Sequence, residues 1–192
     1  MRRASLIILA GGEARRMGYP KCLLHVPGGP TLVEHLVEKL APLVPEILVT
    51  GRPPPLVEGT RPVRDRYRVH SPLVGLEAGL AASSFDISLV VACDMPFVVP
   101  SLADYLLSLA AGADAVVPRV RGYFEPLFAV YRRRILPVVR SHIKAGDLKV
   151  TGIYRELAVR AVPEPELRRF DPELKSFINL NTVRDLALLN AF

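Results

Sequence analysis

Two glycines near the start of the chain are followed by basic residues, a combination that suits the binding of phosphate groups. Gly11 and Gly12 come directly after an apolar run, and Arg16 and Lys21 follow within the stretch LAGGEARRMGYPK at residues 9–21. Glycine lets the backbone approach a ligand closely, and backbone amides left free at the end of a strand attract anions. With the added positive charge, this stretch predicts a site for the phosphates of a nucleotide.

The spacing excludes the two commonest phosphate-binding loops. A P-loop requires Gly-Lys followed by Ser or Thr, whereas Lys21 lies between Pro20 and Cys22. The dinucleotide-binding pattern G-x-G-x-x-G fails because the glycines of this stretch fall at positions 11, 12 and 18. The simpler alternative for a glycine pair is a surface turn with solvated basic side chains beside it.

A second candidate site is the single acidic residue that ends an almost wholly apolar segment. Asp94 follows the run SLVVAC at residues 88–93 and precedes Met95 and Pro96. An unpaired carboxylate is costly to bury at the end of an interior strand, so a functional role is favoured. Mg²⁺ is commonly held by one or two carboxylates together with substrate phosphates, which makes Asp94 a candidate magnesium ligand. The alternative is a cap for the turn that follows.

Short apolar segments alternate with amphipathic ones, and this alternation predicts the elements that position the two sites. Strands are expected at residues 5–9, 46–50, 87–92, 115–117 and 127–131. Helices are expected at residues 72–84, 132–145 and 183–190, with two more capped by Thr31 and Ser101. The pattern predicts a Rossmann-like α/β fold with three α/β/α layers and a mostly parallel sheet, as one domain over residues 1–192. Ligands bind beyond the carboxyl ends of such strands, so Gly11 and Asp94 are expected on the same edge.

Composition favours a folded protein and gives little support to a nucleic-acid or membrane partner. The dispersed arginine suits a small polyanionic substrate, and equally a genome or growth temperature that favours Arg and Pro. Half of the 192 residues are hydrophobic, and the net charge is +6. Arginine is dispersed apart from residues 132–134 and Trp is absent, which argues against a stacking surface for single strands. No apolar run reaches the ~20 residues that span a bilayer, and a cytoplasmic location is expected. Cys22 and Cys93 are expected to be reduced thiols, and the histidines lack zinc-ligand spacing.

Taken together, the motifs resemble those of molybdenum cofactor guanylyltransferases, which have the nucleotide-diphospho-sugar transferase fold. The opening LAGG, RMG and Lys21 are similar to the first motif of that whole superfamily of nucleotidyltransferases. The segment CDMP at residues 93–96 is similar to the metal-binding motif of the guanylyltransferases. Further matches extend over nearly the whole chain: Asp65, SPLVGL at residues 71–76, EPLFAVY at residues 125–131, AGD at residues 145–147 and FINLNT at residues 177–182.

The resemblance implies transfer of GMP from GTP to the terminal phosphate of molybdopterin, with release of pyrophosphate and dependence on Mg²⁺. It implies nucleotide contacts by Leu9, Ala10, Gly11, Gly12, Lys21, Asp65 and Asp94. Arg16, Lys21 and Asp94 are expected to be catalytic, and Asp94 is expected to hold the metal. Asn179 and Asn181 face the same way on an extended segment and are expected to contact the acceptor. The alternative for Asp65 is a solvated carboxylate among arginines, and for the two asparagines a turn or helix cap.

The chain departs from the family pattern at four positions that bear on substrate choice. Pro20 replaces the usual Asp before the lysine, Gly51 an Asn, Ser71 a Gly, and Val183 a Pro. These departures leave open a related nucleotidyltransferase that uses CTP or another phosphorylated acceptor, such as a sugar phosphate or cobinamide phosphate, and also a nucleotide-binding protein without turnover. The expected partners are GTP and molybdopterin, with no nucleic acid and no membrane, and the chain is expected to be a monomer or weak homo-oligomer.

Overall fold

One sheet of eight strands forms the centre of the computed structural model, which describes residues 1–11, 21–180 and 185. The strands are β1 (Ser5–Leu9), β2 (Glu46–Gly51), β3 (Arg61–Arg64), β4 (Ile87–Ala92), β5 (Ala115–Val120), β6 (Tyr123–Phe124), β7 (Phe128–Arg132) and β8 (Val159–Pro163). The helices are α1 (Leu32–Leu40), α2 (Pro72–Ala82), α3 (Pro100–Ser108), α4 (Leu136–Ala145) and the short α5 (Glu164–Leu167).

The strand order shows a parallel half and an antiparallel half within one sheet. The strands lie in the order β3-β2-β1-β4-β7-β5-β6, and β8 also pairs with β5. The pairs among β3, β2, β1 and β4 are parallel, as is the pair of β5 with β8. Strand β7 is antiparallel to both β4 and β5. The sheet is therefore mixed but mostly parallel, and the predicted α/β fold class is confirmed.

Two hydrophobic cores, one on each face of the sheet, hold the helices in place. Side chains of β1 alternate between them, with Leu6 and Ile8 in the first core and Ile7 and Leu9 in the second. Helices α1 and α3 contribute to the first core, and helices α2 and α4 to the second. Full burial of one such aliphatic side chain contributes about 1.5–3 kcal/mol, so packing on both faces accounts for the fully apolar strands.

The helix starts agree with the capping signals of the sequence. The Thr31 hydroxyl accepts a hydrogen bond from the Glu34 N–H, and the Glu34 carboxylate accepts one from the Thr31 N–H, so α1 begins with a capping box. Ser71 caps α2 by accepting from the Leu73 N–H at 3.1 Å. The helix predicted at residues 72–84 ends at Ala82, where Ser83 takes the C-cap position. In the described parts of the chain, no helix has the length and apolarity needed to cross a membrane.

Several predicted boundaries are wrong. Ser101 does not cap α3, because the helix already starts at Pro100 with Val99 at the cap, and proline suits the first turn of a helix. Arg132 ends β7, and one 3₁₀ turn at Arg133–Ile135 comes before α4. Strands β3, β6 and β8 were not predicted, because they are short and partly exposed and lack a continuous apolar run. The helix predicted at residues 183–190 lies outside the described residues.

The register of the parallel strands brings their carboxyl ends to one edge of the sheet. Leu9 at the end of β1 is level with Thr50 of β2 on one side and with Ala92 of β4 on the other. Gly51 in turn pairs with Arg64 at the end of β3. The residues that follow these ends therefore lie side by side, although they are far apart in the chain. This edge is where open α/β sheets bind their ligands.

Candidate active site

A cavity of about 340 Å³ lies at this edge, and five of the predicted site residues line it: Leu9, Gly11, Lys21, Asp65 and Asp94. Its walls come from the ends of β1, β2 and β4, the start of α2, and the residue before β7. The lining residues are Leu9, Gly11, Lys21, Thr50, Asp65, His70, Ser71, Pro72, Gly75, Ala92, Cys93, Asp94 and Leu127. The sheet thus brings Gly11 and Lys21, the two ends of the described part of the glycine stretch, to the same cavity as Asp94, which follows Lys21 by 73 residues in the sequence.

Lys21 and Asp94 form the charged pair of the cavity. The Lys21 Nζ lies 3.4 Å from Asp94 Oδ2 and donates a hydrogen bond to the Leu180 carbonyl at 3.1 Å. Both side chains are partly exposed, at 18% for Lys21 and 24% for Asp94. The backbone N–H of Leu180 donates to the Asp94 carbonyl at 2.8 Å. The two side chains are therefore held together while they keep access to the cavity, as groups that meet a charged substrate must.

The loop that carries Asp94 is anchored from both sides. The Cys93 N–H donates to the Leu9 carbonyl at 3.1 Å, which continues the β1–β4 pairing one residue beyond the strand. Further along, the Pro96 carbonyl accepts a hydrogen bond from Lys39 Nζ at 3.1 Å and lies 3.2 Å from His35 Nε2. Burial lowers the pKa of both Lys39 and His35. Helix α1 therefore supports the loop that positions Asp94.

Asp65 is a half-buried carboxylate on the opposite wall. Its backbone N–H donates to the Gly51 carbonyl at 3.1 Å, which places it directly beyond β3. Burial is the main cause that raises the pKa of Asp65, and the charges of His70 and Arg52 oppose that rise. Its Oδ1 atom is buried without a hydrogen-bond partner among the described residues. A Cβ at Gly11 would lie 3.4 Å from Asp65 Oδ2, so the glycine backbone and the carboxylate are close neighbours.

Thr50 is a cavity residue that sequence reasoning missed. It is 1% exposed, and its hydroxyl oxygen has no hydrogen-bond partner within the described part of the chain. The side chain faces Gly75 of α2, where an added Cβ would lie only 3.0 Å from Thr50 Oγ1. Burial of a hydroxyl removes its hydrogen bonds to water, and this loss lowers stability unless another group, such as a bound ligand, supplies a partner. Asp94 was singled out because it is a polar residue at the end of an apolar segment. The same signal, applied to β2, could have identified Thr50.

The two cysteines of the chain meet beside this cavity. Cys22 and Cys93 are free thiols, 2% and 4% exposed, and both belong to the first core. A hydrogen bond between their side chains lowers the pKa of Cys22, and the same bond together with burial raises the pKa of Cys93. Cys22 follows Lys21 and Cys93 precedes Asp94, so each thiol is one residue from a member of the charged pair.

The remaining predicted site residues differ in where they lie. Leu9 and Gly11 line the cavity, whereas Ala10 is buried and outside its lining, and its N–H donates to the Thr50 carbonyl. Asn179 is exposed and does not line the cavity, although it precedes the Leu180 that contacts both Lys21 and Asp94. Gly12, Arg16 and Asn181 lie outside the described residues.

The donor set suits a magnesium ion that arrives with its substrate. Within residues 1–11, 21–180 and 185, no group of three or more His, Cys, Asp or Glu side chains could hold a metal ion without other ligands. Asp94 offers one carboxylate at the edge of the cavity, close to the ammonium group of Lys21. Mg²⁺ usually keeps several waters and takes one or two carboxylates plus phosphate oxygens. Asp94 is a single, partly exposed carboxylate in the wall of a cavity, so the residues present fit a magnesium ion that takes its other ligands from waters and phosphate oxygens.

The fold and the position of this cavity are typical of α/β proteins that bind their ligands at the carboxyl ends of parallel strands. A lysine and two carboxylates line the cavity. The chain belongs to the MobA-like NTP transferase domain family, which matches residues 6–161.

Individual relatives cover almost the whole chain. A Methanosarcina mazei protein named "Probable molybdenum cofactor guanylyltransferase" is 38% identical over 95% of this chain and 88% of its own length. A molybdenum cofactor guanylyltransferase of Desulfosudis oleivorans is 32% identical over 94% of this chain and 91% of its own. The crystal structure of molybdopterin-guanine dinucleotide biosynthesis protein A from Archaeoglobus fulgidus is 30% identical, covers 97% of both chains and has a TM-score of 0.82.

Proposed function

We propose that the protein is a molybdenum cofactor guanylyltransferase, which moves GMP from GTP to the terminal phosphate of molybdopterin and releases pyrophosphate. The names of the relatives support both substrates. The observation that carries the proposal for this chain is the meeting of Lys21 and Asp94 at the cavity, with Nζ and Oδ2 3.4 Å apart. Nucleotidyl transfer needs such a cation and such a carboxylate at one point, because charge on the reacting phosphates must be neutralised.

The protein's part in the reaction is alignment and neutralisation of charge. A phosphate oxygen of the acceptor attacks the α-phosphorus of the nucleotide, and the bond to the β-phosphate oxygen breaks as pyrophosphate leaves. Lys21, with Arg16 from the stretch beyond the described residues, donates hydrogen bonds to the phosphates and offsets their charge. We assign the amides of Gly11 and Gly12 to the triphosphate, together with the backbone of Leu9, which lines the cavity, and of Ala10, which is buried outside its lining. Asp94 would hold Mg²⁺, and the bound ion would supply further neutralisation of the phosphate charge.

Asp65 is assigned to the nucleotide. Asp65 and Thr50 line the same cavity, and Asp65 Oδ1 and the Thr50 hydroxyl are both buried without a partner in the described part of the chain. A carboxylate accepts hydrogen bonds only, and guanine N1 and N2 or the ribose hydroxyls supply matching donors. The raised pKa of Asp65 follows from its burial, and donors from a bound nucleotide would relieve that burial penalty.

The acceptor is assigned to the side of the cavity next to the C-terminal segment. Leu180 joins this segment to the charged pair, because its N–H donates to the Asp94 carbonyl and its carbonyl accepts from Lys21. Asn179 and Asn181 flank Leu180 in the sequence, and we assign their side-chain amides to the acceptor. Amide groups at this point can hydrogen-bond a phosphate that approaches Lys21 from outside.

The test is pyrophosphate release by the purified protein with molybdopterin, Mg²⁺ and one of GTP, CTP or ATP. Release that requires GTP and molybdopterin together is the expected result. Release with CTP in preference to GTP would replace the guanylyl assignment with a cytidylyl one. Nucleotide binding by calorimetry, without release in the presence of molybdopterin, sugar phosphates or cobinamide phosphate, would make the protein a nucleotide-binding protein without turnover.

A further inference from the structure

Four exposed arginines lie at the carboxyl ends of β2 and β3 and in the loop that follows β3. They are Arg52, Arg64, Arg66 and Arg68, and we call them the arginine rim. The loop that carries two of them runs from Asp65 to His70, and both of these residues line the cavity. Arg52 Nη1 donates a hydrogen bond to the Tyr67 carbonyl at 3.1 Å, which joins the chain after β2 to this loop. The rim therefore lies at the same edge of the sheet as the cavity.

The positive charge of the rim is not neutralised by carboxylates of the described chain. Residues 52–70 contain five arginines and two acidic residues, a net charge of +3 with histidine neutral, which is half the net charge of the whole protein. Only the fifth arginine, Arg61, forms an ion pair within the described residues, and its partner is Glu46. Burial raises the pKa of Asp65, and the charges of His70 and Arg52 oppose that rise. The positive charge of this region therefore acts on a group in the cavity wall.

The densest basic run of the sequence, Arg132–Arg134, lies at the opposite edge of the sheet. Arg132 is level with the first residue of β4, whereas the cavity lies at the carboxyl end of that strand. Arg132 forms an ion pair with Asp86, and Arg134 forms one with Asp114. The charge of this run is thus largely compensated by neighbouring carboxylates, whereas the four arginines of the rim keep theirs.

We propose that the arginine rim steers nucleoside triphosphates into the cavity by long-range attraction, without contacting the bound nucleotide. Within the described part of the chain, the lining of the cavity includes none of the four arginines. Charge of one sign beside a cleft raises the local concentration of oppositely charged ligands and speeds their association by about 10- to 1,000-fold. Guanidinium groups remain charged throughout the physiological pH range, so this attraction is permanent. The choice of ligand rests on the proposed function, whereas steering requires only that a triphosphate binds.

The experiment measures the association and dissociation rate constants of N-methylanthraniloyl-GTP by stopped-flow fluorescence, with displacement by unlabelled GTP. The variant Arg64→Gln/Arg66→Gln/Arg68→Gln removes three charges and leaves Arg52 to hold the Tyr67 carbonyl. At an ionic strength of about 10 mM, where the Debye length is about 30 Å, association should be about tenfold slower than in the wild type. At about 1 M, where the Debye length is about 3 Å, the two proteins should associate at nearly equal rates. The dissociation rate constant should stay within about twofold, because these charges act on the approach of the ligand.

Two matched variants separate the position of the charge from net charge and from side-chain shape. Arg3→Gln/Arg133→Gln/Arg160→Gln removes the same charge from three exposed arginines at the opposite edge, beside the start of β1, the end of β7 and the start of β8. It should slow association by less than about twofold. The variant Arg64→Lys/Arg66→Lys/Arg68→Lys keeps the charge of the rim and should associate at the wild-type rate. If the triple glutamine variant of the rim fails to fold, Arg66→Gln alone should slow association by about twofold at low ionic strength.

The outcomes that contradict steering differ from those that contradict the proposed function. Equal slowing in the two glutamine variants would make net charge the cause, and slowing in the lysine variant would make the guanidinium shape the cause; either result overturns the proposal. A dissociation rate constant raised by more than about fivefold in the rim variant would indicate a direct contact and would overturn it as well. Binding of the probe without transfer to molybdopterin would overturn the proposed reaction and leave the steering result standing. A wild-type protein that binds no triphosphate would overturn both.

Discussion

Two cavities of this protein differ in how their polar groups are satisfied. The first lies at the ends of β1, β2 and β4, where Thr50 Oγ1 and Asp65 Oδ1 are buried without partners in the described chain. The second, of about 550 Å³, lies between the C-terminal end of α4 and the segment Val150–Glu156. There His142 Nδ1 lies 2.9 Å from Asp147 Oδ2, and His142 Nε2 lies 2.6 Å from Glu156 Oε1.

This difference in hydrogen bonding indicates which of the two cavities is suited to bind a ligand. A buried polar atom without a partner lowers stability, so it persists where a substrate provides the missing hydrogen bond. In the second cavity the histidine and both carboxylates already bind one another, and they fasten α4 to the chain that follows it. Larger volume does not by itself identify a functional site, and neither does one unpartnered atom, because Glu77 Oε2 is also buried without a partner in the described chain and lies outside the first cavity. We expect the ligand in the first cavity, where two such atoms occur together, and the following variants test this expectation by making the same change in each cavity.

The largest expected effect is on catalysis, through Asp94→Asn. The amide keeps the shape of the side chain but loses the charge that neutralises Lys21 and holds Mg²⁺, so pyrophosphate release should fall by about 1,000-fold. The free energy of unfolding should change by no more than about 1 kcal/mol, because the pair is partly exposed. Rates at several Mg²⁺ concentrations and thermal unfolding measure the two quantities.

Asp147→Asn makes the same change in the second cavity and is the control for Asp94→Asn. It should leave transfer activity and its Mg²⁺ dependence as in the wild type. Equal losses in the two variants would show that the contrast between the cavities is not functional.

The next largest effect, a lower kcat, is expected for Lys21→Met, which keeps the length of the side chain and removes its charge. Loss of a positioned donor to a phosphate should lower kcat by about 100-fold. Lys149→Met changes a lysine of the second cavity and should leave kcat unaltered. Steady-state kinetics with saturating GTP compare the two variants. A Lys21→Met protein with wild-type kcat would remove this lysine from the reacting phosphates.

A smaller effect is expected on nucleotide affinity for Asp65→Asn. Loss of one hydrogen bond to a charged acceptor should raise the Kd of GTP by about tenfold, measured by calorimetry. In the free protein the pKa of Asp65 is raised by burial, so the folded state takes up its proton at higher pH than the unfolded state. The ionised Asp65 therefore destabilises the free protein at neutral pH, and this penalty disappears as the pH falls through the folded-state pKa.

Asp65→Asn should accordingly raise the Tm of the free protein at pH 7 while it weakens GTP binding. The gain in Tm over the wild type should shrink at acidic pH. Glu156→Gln, in the second cavity, should leave the Kd of GTP unchanged. If Asp65→Asn lowers the Tm and leaves the Kd of GTP unchanged, the assignment of Asp65 as a nucleotide contact is wrong.

The smallest effect concerns the pH dependence of stability at His142. Hydrogen bonds to Glu156 and Asp147 raise the pKa of His142 in the folded protein. This contribution to stability is fully present below the unfolded-state pKa of about 6.5 and is lost as the pH rises through the folded-state pKa. His142→Gln should therefore lower the Tm at pH 5.5 and have little effect at pH 9, without a change in transfer rate. Equal shifts at the two pH values would contradict this account.

Much of the fold follows from local features of the sequence. The strands Ser5–Leu9 and Ile87–Ala92 were predicted with their observed bounds, because an uninterrupted apolar run can only be buried on both faces. Thr31 and Glu34 identify the start of α1 because the capping box involves residues three apart in the chain. The resemblance of the motifs to a known family was confirmed by the family match.

What depended on tertiary structure is the set of contacts between distant segments. The antiparallel direction of β7 and the burial of Cys22 and Cys93 in the same core have no local signal. A polar residue near the end of β2 could draw attention to Thr50, but the sequence does not show that its buried hydroxyl has no partner in the described chain. Each arises where the sheet brings together residues separated by tens of positions, and a side chain's partners there are set by packing. The sequence by itself therefore determined which residue types could bind a nucleotide, whereas only the folded chain decided which polar groups were left without a partner.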